Sequence, residues 1–279
     1  MSIAKVNGVD LYYEVHGEGE PLVLISGYTQ DHTSWAAMLP VFAKKYRTIV
    51  LDNRGAGQTV CPDGPFTIED MADDVSGLLD TLNIKKAHII GISMGGIIAQ
   101  ALAIRHPEKV KGLVLCSTGS KGSPRSKFIL GTLAEELATG KIDHEFYYKM
   151  VFPMLFSNNV FANRDMFKMI MSRTLASKIN PNNVLRQRQA IDVLDLTALL
   201  GSIKAPTLVV HGNEDILFPI GYGKELATGI PNAKLVVLEG GNHMAYAEMA
   251  DKVIPQVMGF LASVDGNAIA ELSTPQIKH

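Results

Sequence analysis

The sequence predicts an α/β fold: a mostly parallel, eight-stranded sheet flanked by helices and interrupted by one helical insertion. Three observations predict it. Short apolar runs, many of them β-branched, recur along the chain with amphipathic stretches between them, the pattern of strands joined by crossover helices. The stretch 87–104 contains no Asp, Glu, Lys or Arg, yet Gly91, Ser93, Gly95 and Gly96 divide it into a β-branched half and an Ala-rich half. A buried strand running into a buried helix has that composition, whereas a membrane span would not be broken there. From 120 to 196 the strand signal lapses and only helical stretches remain.

The elements follow in order. Residues 3–6 and 9–15 flank Asn7-Gly8, the signal for an antiparallel hairpin with a tight turn. Alternation then begins, with strand 22–25, helix 34–44, strand 48–51 and helix 67–82. The last of these opens with Thr67 three residues before Asp70, an approximate capping box. Strand 88–92, helix 97–104 and strand 112–116 follow. Helices are expected at 127–138, 145–156, 165–179 and 184–194, punctuated by Gly140, Pro153 and Pro181. Alternation resumes with strand 207–211, helix 222–228, strand 234–238 and helix 246–261, and the tail after Ser263 is expected to be loosely held. Residues 1–119 and 197–279 therefore read as one α/β core, and 120–196 as a helical cap not expected to fold alone.

Composition excludes several classes. With 279 residues, 47% hydrophobic and 19% charged, and a mean hydropathy of +0.13, the chain is neither disordered, collagen-like nor a charged coiled coil. A net charge of -2 leaves no basic excess to neutralise a phosphate backbone, so nucleic acid is not an expected partner. Cys61 and Cys116 form no C-x-x-C pair and no Cys/His cluster, which suggests neither a disulfide framework nor a zinc site. The first ten residues lack a secretory pattern, and a cytoplasmic protein without a membrane partner is expected. Charge is nevertheless divided: 120–196 carries eleven basic and seven acidic residues, or +4, while the remaining 15 basic and 21 acidic residues make the core -6.

The strongest chemical signal is Gly91-Ile-Ser93-Met-Gly95-Gly96, a G-x-S-x-G between a predicted strand and a predicted helix. A sharp strand-to-helix turn needs small residues two positions either side of its apex, and it holds the serine hydroxyl above the sheet edge. The helix N-terminus presents unpaired N–H groups to the same point, where they can stabilise an oxyanion. A serine nucleophile requires a histidine base and a carboxylate to orient it. His243, in the glycine-rich loop Gly240-Gly-Asn-His243 after a strand, is the best placed of eight histidines. His88, His106 and His211 read as strand or helix-end residues, and His16, His32, His144 and His279 have no comparable setting, though His32 lies close to the loop expected to form the oxyanion hole. For the acid, the loop Gly212-Asn-Glu214-Asp215 offers two neighbours, of which one should face solvent.

On these residues the chain resembles the α/β-hydrolase family, over 3–262. The order Ser93, Asp215, His243 matches the family's nucleophile, acid and base, and His211-Gly-Asn-Glu-Asp215 is similar to its H-G-x-x-D, which favours Asp215 over Glu214. Asp52-Asn-Arg54-Gly55-Ala-Gly57-Gln-Thr59 and His106-Pro107-Glu108 are similar to two further motifs, read as turn and helix-end features. The resemblance implies an oxyanion hole from the backbone N–H groups of Tyr28 and Met94, although Ser26 stands where the family usually has histidine.

The implied activity is hydrolysis of a small-molecule carboxylic ester through an acyl-enzyme on Ser93, requiring no metal and no organic cofactor. A pocket between core and cap is implied, with Gly27, Met150, Phe152, Met154 and Met244 as candidate substrate contacts. The Met- and Phe-rich cap suggests a flexible apolar pocket for short to medium acyl chains, and its +4 charge suggests an anionic or acyl-thioester substrate. Enol-lactonase, thioesterase, perhydrolase and carbon–carbon hydrolase share the constellation, as do small-molecule receptors that retain the triad. Oligomeric state is not legible in the sequence.

Overall fold

The computed structural model describes residues 2–177 and 179–266, so the tail beyond 266, with His279, lies outside the described residues. β1 (Ser2–Val6) and β2 (Val9–His16) form the hairpin, with Asn7 at φ 43° and Gly8 at φ 77° supplying the left-handed turn. β3 (Glu20–Ile25), α1 (Leu39–Phe42), β4 (Tyr46–Leu51), α2 (Ile68–Thr81), β5 (Ala87–Ile92), α3 (Met94–Arg105) and β6 (Val110–Cys116) follow. Five helices then intervene: α4 (Pro124–Ala138), α5 (His144–Leu155), α6 (Asn158–Ala162), α7 (Arg164–Ala176) and α8 (Pro181–Val193). β7 (Thr207–Gly212), α9 (Ile220–Gly229), β8 (Lys234–Leu238), α10 (Ala245–Glu248) and α11 (Ala250–Val264) complete the chain.

All eight strands form one sheet in the order β1-β2-β4-β3-β5-β6-β7-β8, antiparallel at β1/β2 and β2/β4 and parallel from β4 to β8. Side chains alternate between two cores, as a sheet covered on both faces requires. Val23, Ile25, Ile89 and Leu113 pack against α2 and α3, and Leu22, Leu24, Ile90 and Val114 against Trp35, Phe42 and α11. The chain goes from β3 to β4 on one side and from β4 to β5 on the other. A crevice therefore opens at the carboxyl ends of β3 and β5, where such sheets bind ligands.

The helical excursion leaves and returns at one place, where Lys121 and Asp195 form an isolated antiparallel bridge and Leu196 N–H donates to Ser120 O at 2.9 Å. The capping box of α2 is present, with Thr67 and Asp70 each accepting from the other's backbone N–H.

Three helices depart from expectation. The expected helix 34–44 is a 3-10 turn, His32–Trp35, followed by α1; Asp31 caps the first and Pro40 sits in the first turn of the second, so each starts afresh. Helix 165–179 ends at Ala176 and is preceded by α6, a short helix whose five residues give no periodic signal. Helix 246–261 is divided at Met249, whose ψ of 36° breaks the helical path.

The Asp52-to-Thr59 segment is fastened to α2. Arg54 makes a two-pronged pair with Asp74 of α2, Nε to Oδ2 at 2.9 Å and Nη2 to Oδ1 at 2.6 Å, with both residues buried. Removing one partner strands a buried charge, so Asp74→Ala is expected to lower the unfolding free energy by about 3–5 kcal/mol in a denaturant titration.

Candidate active site

Ser93 stands at the turn between β5 and α3 with φ 51° and ψ -121°, a conformation costing on the order of 1–3 kcal/mol for a residue with a side chain. Close packing enforces the turn. A Cβ on Gly91 would run into the backbone of Gly95, and one on Gly95 into the carbonyls of Ile25 and Ser26. These are the two small positions that the motif demands, and they press α3 against the end of β3.

The carboxyl ends of β7 and β8 bring the other two groups together. His243 Nδ1 lies 2.8 Å from Asp215 Oδ2, while Asp215 Oδ1 accepts from Leu217 N and Phe218 N, both at 2.9 Å. With a carboxylate as acceptor, Nδ1 carries the proton and Nε2 is left basic. Asp215 is 3% exposed, whereas Glu214 faces solvent. The Phe218 ring stacks on the imidazole at 6.0 Å and 18°, which fixes the plane of the ring. The loop bearing His243 is tied to the end of α5, through Met244 N–H to Leu155 O at 2.9 Å and Asn242 Nδ2 to Phe156 O at 2.8 Å.

Ser93 and His243 face one cavity of about 830 Å³. No hydrogen bond joins the Ser93 hydroxyl to the imidazole among the described residues. On the opposite side, the loop after β3 is held by side chains: Gly27 N–H donates to Gln30 Oε1 at 3.1 Å and Thr29 N–H to Gln187 Oε1 at 3.0 Å. Between them the N–H of Tyr28 has no acceptor among the described residues, nor has that of Met94 at the start of α3. Ser26 Oγ lies 3.0 Å from both Asp31 O and Ser34 Oγ, so the departure at position 26 supplies a local clasp.

Of the candidate substrate contacts, Gly27, Phe152 and Met244 line the cavity and Met150 and Met154 do not. The reason is helical phase. Tyr147, Tyr148, Val151, Phe152 and Leu155 share the inward stripe of α5, and positions 150 and 154 lie off it. Met150 is 48% exposed, and Met154 is buried elsewhere. Tyr147, Tyr148, Gln187 and Phe218 were not singled out from the sequence, although the 3.6-residue period of α5 points to its two tyrosines.

Of the other described histidines, His32 also lines the cavity and the rest lie outside it. His88 Nε2 lies 2.9 Å from Asp265 Oδ1, and burial lowers its pKa. His106 pairs with Asp73 at 2.7 Å, His32 with Asp52 at 2.8 Å and His16 with Glu14 at 2.8 Å. His211 Nε2 donates to Phe218 O at 2.6 Å; burial lowers its pKa, and it buttresses the loop of Asp215. His144 opens α5. Among the described residues no cluster of three or more His, Cys, Asp or Glu could hold a metal, and no helix is long and apolar enough to cross a membrane.

A sheet with its crevice at the β3/β5 switch and a serine at a strained strand-to-helix turn define the class. The chain belongs to the alpha/beta hydrolase fold family, whose model matches residues 20–250. Its relatives include a protein of Azorhizobium caulinodans named as carbamate hydrolase RutD, 28% identical over 95% of this chain and 100% of its own. The crystal structure of the enol-lactonase from Burkholderia xenovorans superimposes with a TM-score of 0.83 at 30% identity, covering 94% of this chain and 100% of that one. A thermophilic esterase from Thermogutta terrifontis gives 0.84 at 28% identity, with 95% and 99% covered. By fold and by kinship the chain is a hydrolase acting on a small molecule.

Proposed function

We propose that this chain is a serine hydrolase of carboxylic esters, with Ser93 as nucleophile, His243 as base and Asp215 as its orienter. One observation carries the reading: the strained serine turn opens into the same cavity as a histidine held by a buried carboxylate. Ser93 Oγ attacks the ester carbonyl as its proton passes to His243 Nε2, and the imidazolium is stabilised by Asp215. The oxyanion accepts from the N–H groups of Tyr28 and Met94, which nothing else in the described chain uses. His243 then protonates the departing alcohol and activates water for deacylation. None of these steps calls on a metal or an organic cofactor.

Residues 120–196 act in this reading as a cap, with α4, α5 and α7 lining the cavity and α8 fastened to the loop after β3, where Tyr28 Oη donates to Val184 O. The apolar lining from Tyr147 to Phe156 suits an ester with a hydrophobic part. Cys61 and Cys116 are both free, in keeping with a reducing, cytoplasmic setting. A lactone is a second substrate form, favoured by the similarity to the enol-lactonase; its leaving alcohol stays tethered but meets the same groups.

Turnover of 4-nitrophenyl esters from acetate to octanoate tests the reading. The expected result is saturable hydrolysis that favours short to medium chains. Tight binding of such esters with no turnover would overturn it in favour of a receptor.

A further inference from the structure

Beside Ser93 lies a second, smaller space of about 20 Å³, lined by Tyr28, Ser93, Met94, Arg188, Leu217 and Phe218 among others. That is room for little more than one water-sized group. Its unusual wall is Arg188 of α8, only 3% exposed. The guanidinium pairs with Asp192 and lies 5.9 Å from the centroid of the Tyr28 ring. A guanidinium has five N–H donors. Among the described residues Asp192 is the one hydrogen-bond partner of this one, and its buried Nε has none. A buried cation with spare donors therefore stands next to the serine and both residues of the proposed oxyanion hole.

We propose that this chamber receives the end of a short acyl group: the preferred substrate is a half-ester of malonyl or succinyl size whose methylene carbons stay beside Ser93 while its terminal carboxylate alone enters the chamber, where Arg188 binds it. The inference rests on the serine-esterase reading and names its substrate class. The side of the bond follows from His243. The leaving oxygen must be protonated by that imidazole, and His243 lines the large cavity but not the small chamber. The alcohol part therefore occupies the 830 Å³ cavity, and the acyl part points past Met94 towards Arg188. The chamber is too small for a long acyl tail. A carboxylate satisfies what an alkyl end would leave unpaired, because burying spare donors against a methyl group is unfavourable. Arg suits the task because its planar fork matches a carboxylate with two parallel hydrogen bonds.

The test compares benzyl hemisuccinate with benzyl butyrate, which share a leaving group and nearly share acyl length, at fixed ionic strength. Wild type is expected to show a kcat/KM at least about tenfold higher for the hemisuccinate, mainly through KM. In Arg188→Met that ratio is expected to fall to one or below, and in Arg188→Lys, which keeps the charge without the fork, to an intermediate value. A wild-type ratio of one or less overturns the proposal, as does an unchanged ratio in Arg188→Met. Should Arg188→Met fail to fold, the wild-type ratio and Arg188→Lys still decide. Hydrolysis of the butyrate without preference refutes the acyl subsite alone, whereas hydrolysis of neither ester refutes the esterase reading as well.

Discussion

Ser93→Ala is expected to lower kcat for ester hydrolysis by a factor of about 10³ to 10⁶, leaving a residue of activity from oxyanion donors and binding alone. The fold should persist, since the turn is enforced by the close contacts of Gly91 and Gly95 with neighbouring backbone and not by the serine hydroxyl. The strain itself gives a companion result. Alanine at φ 51° is as unfavourable as serine, whereas glycine takes that conformation freely. Ser93→Gly should therefore be equally inactive yet more stable than Ser93→Ala, by up to about 1–3 kcal/mol in a thermal or denaturant titration. Equal stability would mean that the turn stores no strain at this residue.

Asp215→Asn is expected to reduce kcat by about 10⁴. The carboxylate accepts from two backbone N–H groups on one oxygen and from His243 on the other. An amide retains a single oxygen. If that oxygen stays with Leu217 and Phe218, the amide NH₂ faces His243 Nδ1 and imposes the tautomer in which Nε2 carries the proton and cannot act as base. Glu214→Gln is the control: its side chain faces solvent, so activity should change little. Comparable losses in the two variants would place the orienting carboxylate elsewhere.

Much of this was legible in the sequence because it depends on local rules. The strand order of residue types, the glycines around Ser93 and the placement of His243 after a strand each follow from backbone sterics that act within a few residues. Position 215 was narrowed to two neighbours by the turn and then chosen by resemblance. Its burial, and the solvent exposure of Glu214, are tertiary facts. What stayed hidden depends on long-range contact. The phase of α5 decides that Phe152 lines the cavity and Met150 does not, and a list of methionines and phenylalanines carries no phase until the helix is docked. Arg188 read as one of eleven basic residues in the cap; only the packing of α8 onto the loop after β3 shows it to be buried beside Ser93. The helix breaks between Trp35 and Leu39 and at Met249 turn on local capping and backbone choices that periodicity cannot resolve.

Every step of the proposed reaction runs through Ser93 as the nucleophile. Labelling the wild-type protein with a fluorophosphonate and mapping the adduct by peptide mass spectrometry tests it most directly. A single adduct on Ser93, absent in Ser93→Ala and slowed in Asp215→Asn, is the predicted result. An adduct on another residue, or undiminished esterase activity in Ser93→Ala, would contradict it.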